Sequence, residues 1–198
     1  MVQLMRVGAV AGFLAPIVAS LFIASAILFY PPFSWTNNAL SDLGVVEGAT
    51  SILFTVGLIG AGVLGFVFAV LGLYKFAGEN RLGKTGSAVF AAATVALVCI
   101  GVFNEHAVPT HYLVSVAFFT LTPIALFILT CAFFRSRQRD LAAFTVVIGL
   151  AAAVPWILQF TIHYVPNVAI PEAVSAAAVS VWAFVLAAKM HKPKKMRV

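Results

Sequence analysis

Three short segments of this chain hold most of the side chains that could do acid–base or ligand chemistry. The first contains Ser41 and Asp42, the second Glu105, His106 and His111, and the third His163 and Glu172. Ser115 follows His111 by one helical turn and shares its face. Imidazole plus carboxylate is a ligand set for Zn²⁺, and an open position on such a metal activates water for hydrolysis. His111, His106, His163 and Asp42 are the candidate metal ligands, with Glu105 or Asp42 as general base. His106 and His111 do not have the helical spacing of an HExxH pair. Without a metal, the same groups make a polar pocket that hydrogen-bonds a ligand. They also have plain structural uses: Ser and Asp tie down turn backbone, and Glu172 suits the positive N-terminus of a helix.

The elements that must carry these residues follow from composition. The chain has 198 residues, 63% hydrophobic and 9% charged, with mean hydropathy +1.08. Soluble domains run at roughly 45–50% apolar and about 25% charged, so a water-soluble globule is excluded. Eighteen Phe exclude a solvated disordered chain. The net charge of +6 falls in short runs between apolar stretches, which argues against nucleic-acid binding. Crossing the hydrocarbon core takes roughly 20 apolar residues. Six stretches suffice: about 7–30, 49–76, 85–103, 111–134, 141–163 and 173–189, none with an Asp, Glu, Lys or Arg near its middle. The expected fold is all-α, one membrane domain over residues 1–198 built as a six-helix bundle. Ala24-Ser25-Ala26 looks like a signal-peptidase site, but the first apolar run far exceeds the roughly 7–15 residues of a signal h-region. It reads as a true span.

Charge sets the expected orientation. All 12 basic residues fall before span one, between spans two and three, between four and five, or after span six. The positive-inside rule then places both termini on the cytoplasmic side of the membrane, with the basic tail against anionic lipid. Asp42, Glu47, Glu105 and Glu172 face outside with His106, His111 and His163. Cys99 and Cys131 fall in opposite leaflets, too far apart for a disulfide. Gly57, Ala61, Gly65 and Ala69 form a small-residue stripe suited to close helix packing in the bundle; a homo-oligomer interface would produce the same stripe. Span centres lack the ionisable groups usual in transporters, so any site lies at the outer rim.

In the first outer loop, Thr36 or Asn37 is expected to cap a short helix ended by Gly44. Trp156, Gln159 and His163 recur at i, i+3 and i+7, one stripe of span five, and Gln159 requires a partner inside the bundle. The expected pocket has Ser41, Asp42, Glu105, His111, Glu172 and Gln159 at its polar end, with Trp35, Trp156 and Phe119 as apolar walls.

The chain resembles a prokaryotic family of six-pass membrane proteins, domain-of-unknown-function family 998, over almost its full length. The likeness rests on Leu40-Ser41-Asp42-Leu43-Gly44, on Gly101-Val102-Phe103-Asn104-Glu105, on His111 opening a Phe-rich span, and on Ile170-Pro171-Glu172. The Ser-Asp-Leu-Gly segment is also similar, more distantly, to one in eukaryotic DRAM-like autophagy modulators. The resemblance implies Ser41, Asp42, Glu105, His111 and Glu172 as the functional set and supplies no activity. His106 and His163 fall outside that set. The leading expectation is a membrane protein that binds a lipid or small amphipathic ligand. A metal-assisted hydrolase with zinc and a structural or assembly factor are the alternatives; membrane lipids are the expected partners.

Overall fold

The computed structural model describes residues 2–78 and 80–191. Glu79 and the tail basic residues Lys192, Lys194, Lys195 and Arg197 lie outside the described residues. So does most of the segment expected to touch anionic lipid.

Among the described residues there are no strands, and six helices are long and apolar enough to cross a membrane. They are α1 (Val2–Leu28), α2 (Ala49–Phe76), α3 (Arg81–Val102), α4 (Thr110–Arg135), α5 (Arg139–Ile162) and α6 (Ala169–His191). Of the helices that begin earlier than their apolar runs, α3 and α6 do so for clear local reasons. Asn80 caps α3, its Oδ1 accepting the Gly83 N–H at 2.7 Å. α6 starts at Ala169 because Pro171 falls in its first turn, where the missing N–H is no loss. Pro16, Pro123 and Pro155 lie inside α1, α4 and α5, which continue through them.

Each helix packs against its sequence neighbours, and α6 returns to α1, closing a ring of six. Small residues set the spacing of α1, α2 and α3. A Cβ on Gly57 would lie 2.5 Å from the Phe22 side chain, and one on Gly65 2.9 Å from that of Thr94. Gly57, Ala61, Gly65 and Ala69 are all buried within the bundle, facing helices of the same chain. Further along α2 a wide π-helical turn, Phe68–Leu73, brings Gly72 onto α1. A Cβ on Gly8 would sit 2.3 Å from the Gly72 nitrogen, so the two backbones touch there.

The two ends of the ring differ. Toward the termini the core is solid, with Leu126, Leu129, Phe133, Trp182 and Leu186 fully buried. Toward the loops after α1, α3 and α5 a cavity of about 120 Å³ runs along the axis, lined by five of the six helices. It reaches from Ile100 to Phe90 on α3, about 15 Å of helix rise. Phe68 and Phe90 close its floor, edge-on to one another and packed on Trp182. Trp182 is anchored by its indole N–H, which donates to Thr145 Oγ1 at 3.1 Å. Cys99 and Cys131 are both free thiols.

Candidate functional site

The loop following α1 is shaped by its own polar side chains. Asn38 Oδ1 accepts the Ser34 N–H at 2.9 Å, and Asn38 Nδ2 donates to Asp42 Oδ2 at 2.6 Å. The same Asp42 oxygen accepts the Ala39 N–H at 3.0 Å. This folds residues 38–42 into a tight corner leading into a short 3₁₀ helix, Ser41–Gly44. Neither Thr36 nor Asn37 caps it, correcting the sequence expectation. Thr36 Oγ1 pairs with Ser34 Oγ at 3.2 Å, and the Asn37 N–H donates to Ser34 Oγ at 3.3 Å. The helix begins too late in the loop for either side chain to serve its first N–H groups.

That corner is fastened to the rest of the rim at three places. The Asn167 and Ala169 N–H groups donate to the Thr36 and Asn38 carbonyls, each at 3.0 Å. The Leu40 N–H donates to Glu172 Oε2 at 2.6 Å, across 132 residues of sequence. Ser41 Oγ donates to Glu105 Oε1, also at 2.6 Å, joining the loop to the end of α3. Glu172 is buried, and its carboxylate holds a distant loop in addition to suiting its own helix end. His111 ties the start of α4 to the end of α3: its Nδ1 donates to the Phe103 carbonyl at 2.6 Å, where α3 has ended and that oxygen has left the helical ladder. The proton on Nδ1 leaves Nε2 of the neutral ring as an acceptor, 3.5 Å from Ser115 Oγ.

Inside this frame lies a second cavity, of about 390 Å³, within the range of small-molecule sites. Asp42, Glu105, His111 and Glu172 line its polar side; Phe119 and Trp156 line its apolar side. Tyr112, Val116, Thr120 and Phe160 line it too and are exposed, so it reaches the bundle surface between α4 and α5. No Lys or Arg is among its lining residues. Ser41, Ser115, Phe119 and Glu172 line both this cavity and the axial one, so the two meet at a shared wall.

The carboxyl groups are close enough to feel one another. Burial pushes the Glu105 carboxyl above its ordinary 4.5, and the charge of Asp42 pushes it further, against opposing pulls from the Ser41 hydroxyl and His111. A carboxyl raised in the folded state holds its proton more tightly there than in the unfolded chain. Its stabilising contribution is therefore full below 4.5 and is lost as pH rises from 4.5 through the raised value. The thermal midpoint in detergent should fall over that window, and by less in Glu105→Gln, which cannot ionise. Equal slopes in both proteins would show that Glu105 is not titrating in this setting.

The remaining expected site residues lie elsewhere. Trp35 is exposed, edge-on to Phe33 at 5.2 Å, and does not line either cavity. Gln159 is buried but fastened to the loop after α5: its Nε2 donates to the Val165 carbonyl at 2.9 Å, and its Oε1 accepts the Val165 N–H at 3.4 Å. His163 is exposed and left-handed, φ 48°, ending α5. The stripe Trp156, Gln159, His163 therefore breaks, because helical periodicity stops at Ile162 and only Trp156 reaches the cavity. His106 is exposed, its N–H donating to Asn104 Oδ1 at 3.2 Å. Among the described residues no three His, Cys, Asp or Glu side chains are arranged to hold a metal ion.

Sequence reasoning missed Asn38, whose i, i+4 relation to Asp42 was the available signal. It also missed Tyr112 and Phe160, which look like any lipid-facing aromatics until the cavity between their helices is seen. No curated protein and no solved structure matches this chain. A family match does, and it takes in part or all of each of the six helices with the loops that build the cavity: over residues 13–189 the chain belongs to the DUF998 family, described as proteins of unknown function.

Proposed function

We propose that this protein sits in the cell membrane with both termini in the cytoplasm and binds a lipid or other amphiphile through its extracytoplasmic face. The observation that carries the reading is the shared wall of the two cavities. A headgroup among Ser41, Asp42, Glu105, His111 and Glu172 would have an apolar space directly beneath it, reaching down the bundle axis. The exposed rim between α4 and α5 supplies a sideways route from the membrane. The closed floor at Phe68 and Phe90 favours a bound ligand over a conducting path. The placement of basic residues supports the orientation.

Ser115 stands at the junction of both cavities and is only partly buried, so a larger side chain there should block it without touching the solid half of the core. Native mass spectrometry should find a lipid retained by the wild-type protein and lost from Ser115→Phe, with the thermal midpoint little changed. Equal lipid retention by both proteins would contradict the proposal.

A metal-assisted hydrolase acting on a lipid headgroup would use the same cavity. It is favoured by the His111 tautomer, whose Nε2 is left as a ligand nitrogen facing Ser115. Zinc would then be held by His111 with Asp42 or Glu105. Elemental mass spectrometry of protein purified without chelator, beside His111→Ala, separates the readings. Near-stoichiometric zinc that vanishes in the variant would establish the hydrolase's metal; none in either protein would leave binding alone.

A further inference from the structure

The chemistry of the cavity walls says more about the ligand than that it is amphipathic. Three carboxyl groups, Asp42, Glu105 and Glu172, line a space with no Lys or Arg among its walls. An anionic headgroup placed there would meet like charge in a partly desolvated site and would find no cationic partner. Opposite the carboxyl groups stands an aromatic wall. Phe119 and Trp156 have ring centroids 4.6 Å apart, and Phe160 stacks on Trp156 at 5.9 Å. Ring faces beside carboxylates are the usual surroundings of a bound ammonium, attracted by ring quadrupole and carboxylate charge together.

We propose that the ligand is a cationic amphiphile, an amine-bearing lipid whose ammonium lies between the Asp42, Glu105 and Glu172 carboxylates and the Phe119–Trp156–Phe160 wall, with its chain directed into the axial cavity. This rests on the amphiphile-binding reading and narrows it to one charge class. His111 and Tyr112 are the other titratable side chains that line the cavity, both from α4, and the His111 Nδ1 proton is committed to Phe103. Binding a cation draws protons off carboxyl groups that share the site, so affinity should weaken as pH falls.

The test uses three ligands with one chain and three headgroups: decylamine, decanol and decanoate, added to full-length protein in a nonionic detergent. Binding is read by the shift in thermal midpoint and by titration calorimetry. Decylamine should bind about tenfold or more tighter than decanol, the value of one charge-assisted hydrogen bond, and decanoate weakest. That preference should shrink in the doubly substituted Asp42→Asn, Glu105→Gln protein, which keeps the shapes and removes two of the three carboxyl groups. It should also shrink between neutral pH and pH 5. Equal affinity for all three ligands would overturn the charge selectivity while leaving amphiphile binding in place. Binding of none would overturn both, and a preference for decanoate would overturn the assignment of the carboxylates.

Discussion

Glu172→Ala is expected to destabilise the protein by about 1–3 kcal/mol, the usual cost of leaving a buried donor without its acceptor. The donor is the Leu40 N–H, and Leu40 and Glu172 are both buried, so water cannot readily replace the lost carboxylate. The loop would remain attached through the Asn167 and Ala169 N–H groups, which is why the expected loss is a lowered midpoint and not an unfolded chain. Glu172→Gln is the informative companion. Its amide carbonyl can still accept the Leu40 N–H, so it should keep most of that stability while losing the charge. Thermal unfolding of both variants in detergent, beside ligand retention, separates fastening from ligand binding. If glutamine costs as much as alanine, the charge itself holds the loop, and the hydrogen-bond account of Glu172 fails.

Trp182→Ala should be more damaging, at about 3–5 kcal/mol for a fully buried Trp. Trp182 is 0% exposed and packs edge-on to Phe68, tilted against Phe90 at 5.2 Å. Removing it takes away the support for the cavity floor and strands the Thr145 hydroxyl, which is itself fully buried. Trp182→Phe keeps most of the packing but loses the 3.1 Å hydrogen bond and leaves the Thr145 hydroxyl unpartnered, at about 1–3 kcal/mol. The alanine protein that survives should hold its ligand more loosely, because the axial cavity deepens. Chemical or thermal unfolding of both variants measures this. An alanine variant as stable as the phenylalanine one would mean the floor is not rigid.

The architecture could be read from sequence because length and apolarity decide it: a chain with six long apolar runs and few charges has no other way to satisfy its backbone in lipid. Helix ends were less legible, since they turn on single residues such as Asn80 and Pro171 that sit outside the apolar runs. At the rim, residue type pointed to Ser41, Asp42, Glu105, His111 and Glu172, and all five line one cavity. What joins them could not be seen. Leu40 meets Glu172 across 132 residues and Ser41 meets Glu105 across 64, and no local spacing encodes either contact. Local spacing misled where it assumed a continuing helix, as with His163, and where aromatic character alone placed Trp35 in the pocket. The axial cavity was also hidden, because it is made by what five helices fail to fill.

The central claim is that the rim cavity and the axial cavity together hold one amphiphile. The most direct measurement is an experimental density map of the protein purified in native lipid nanodiscs. The account predicts one continuous feature, with a compact head beside Asp42 and Glu105 and a tail passing Ser115 and Phe119 toward Phe90. Density for solvent alone in the rim, with the passage at Ser115 closed by side chains, would contradict it.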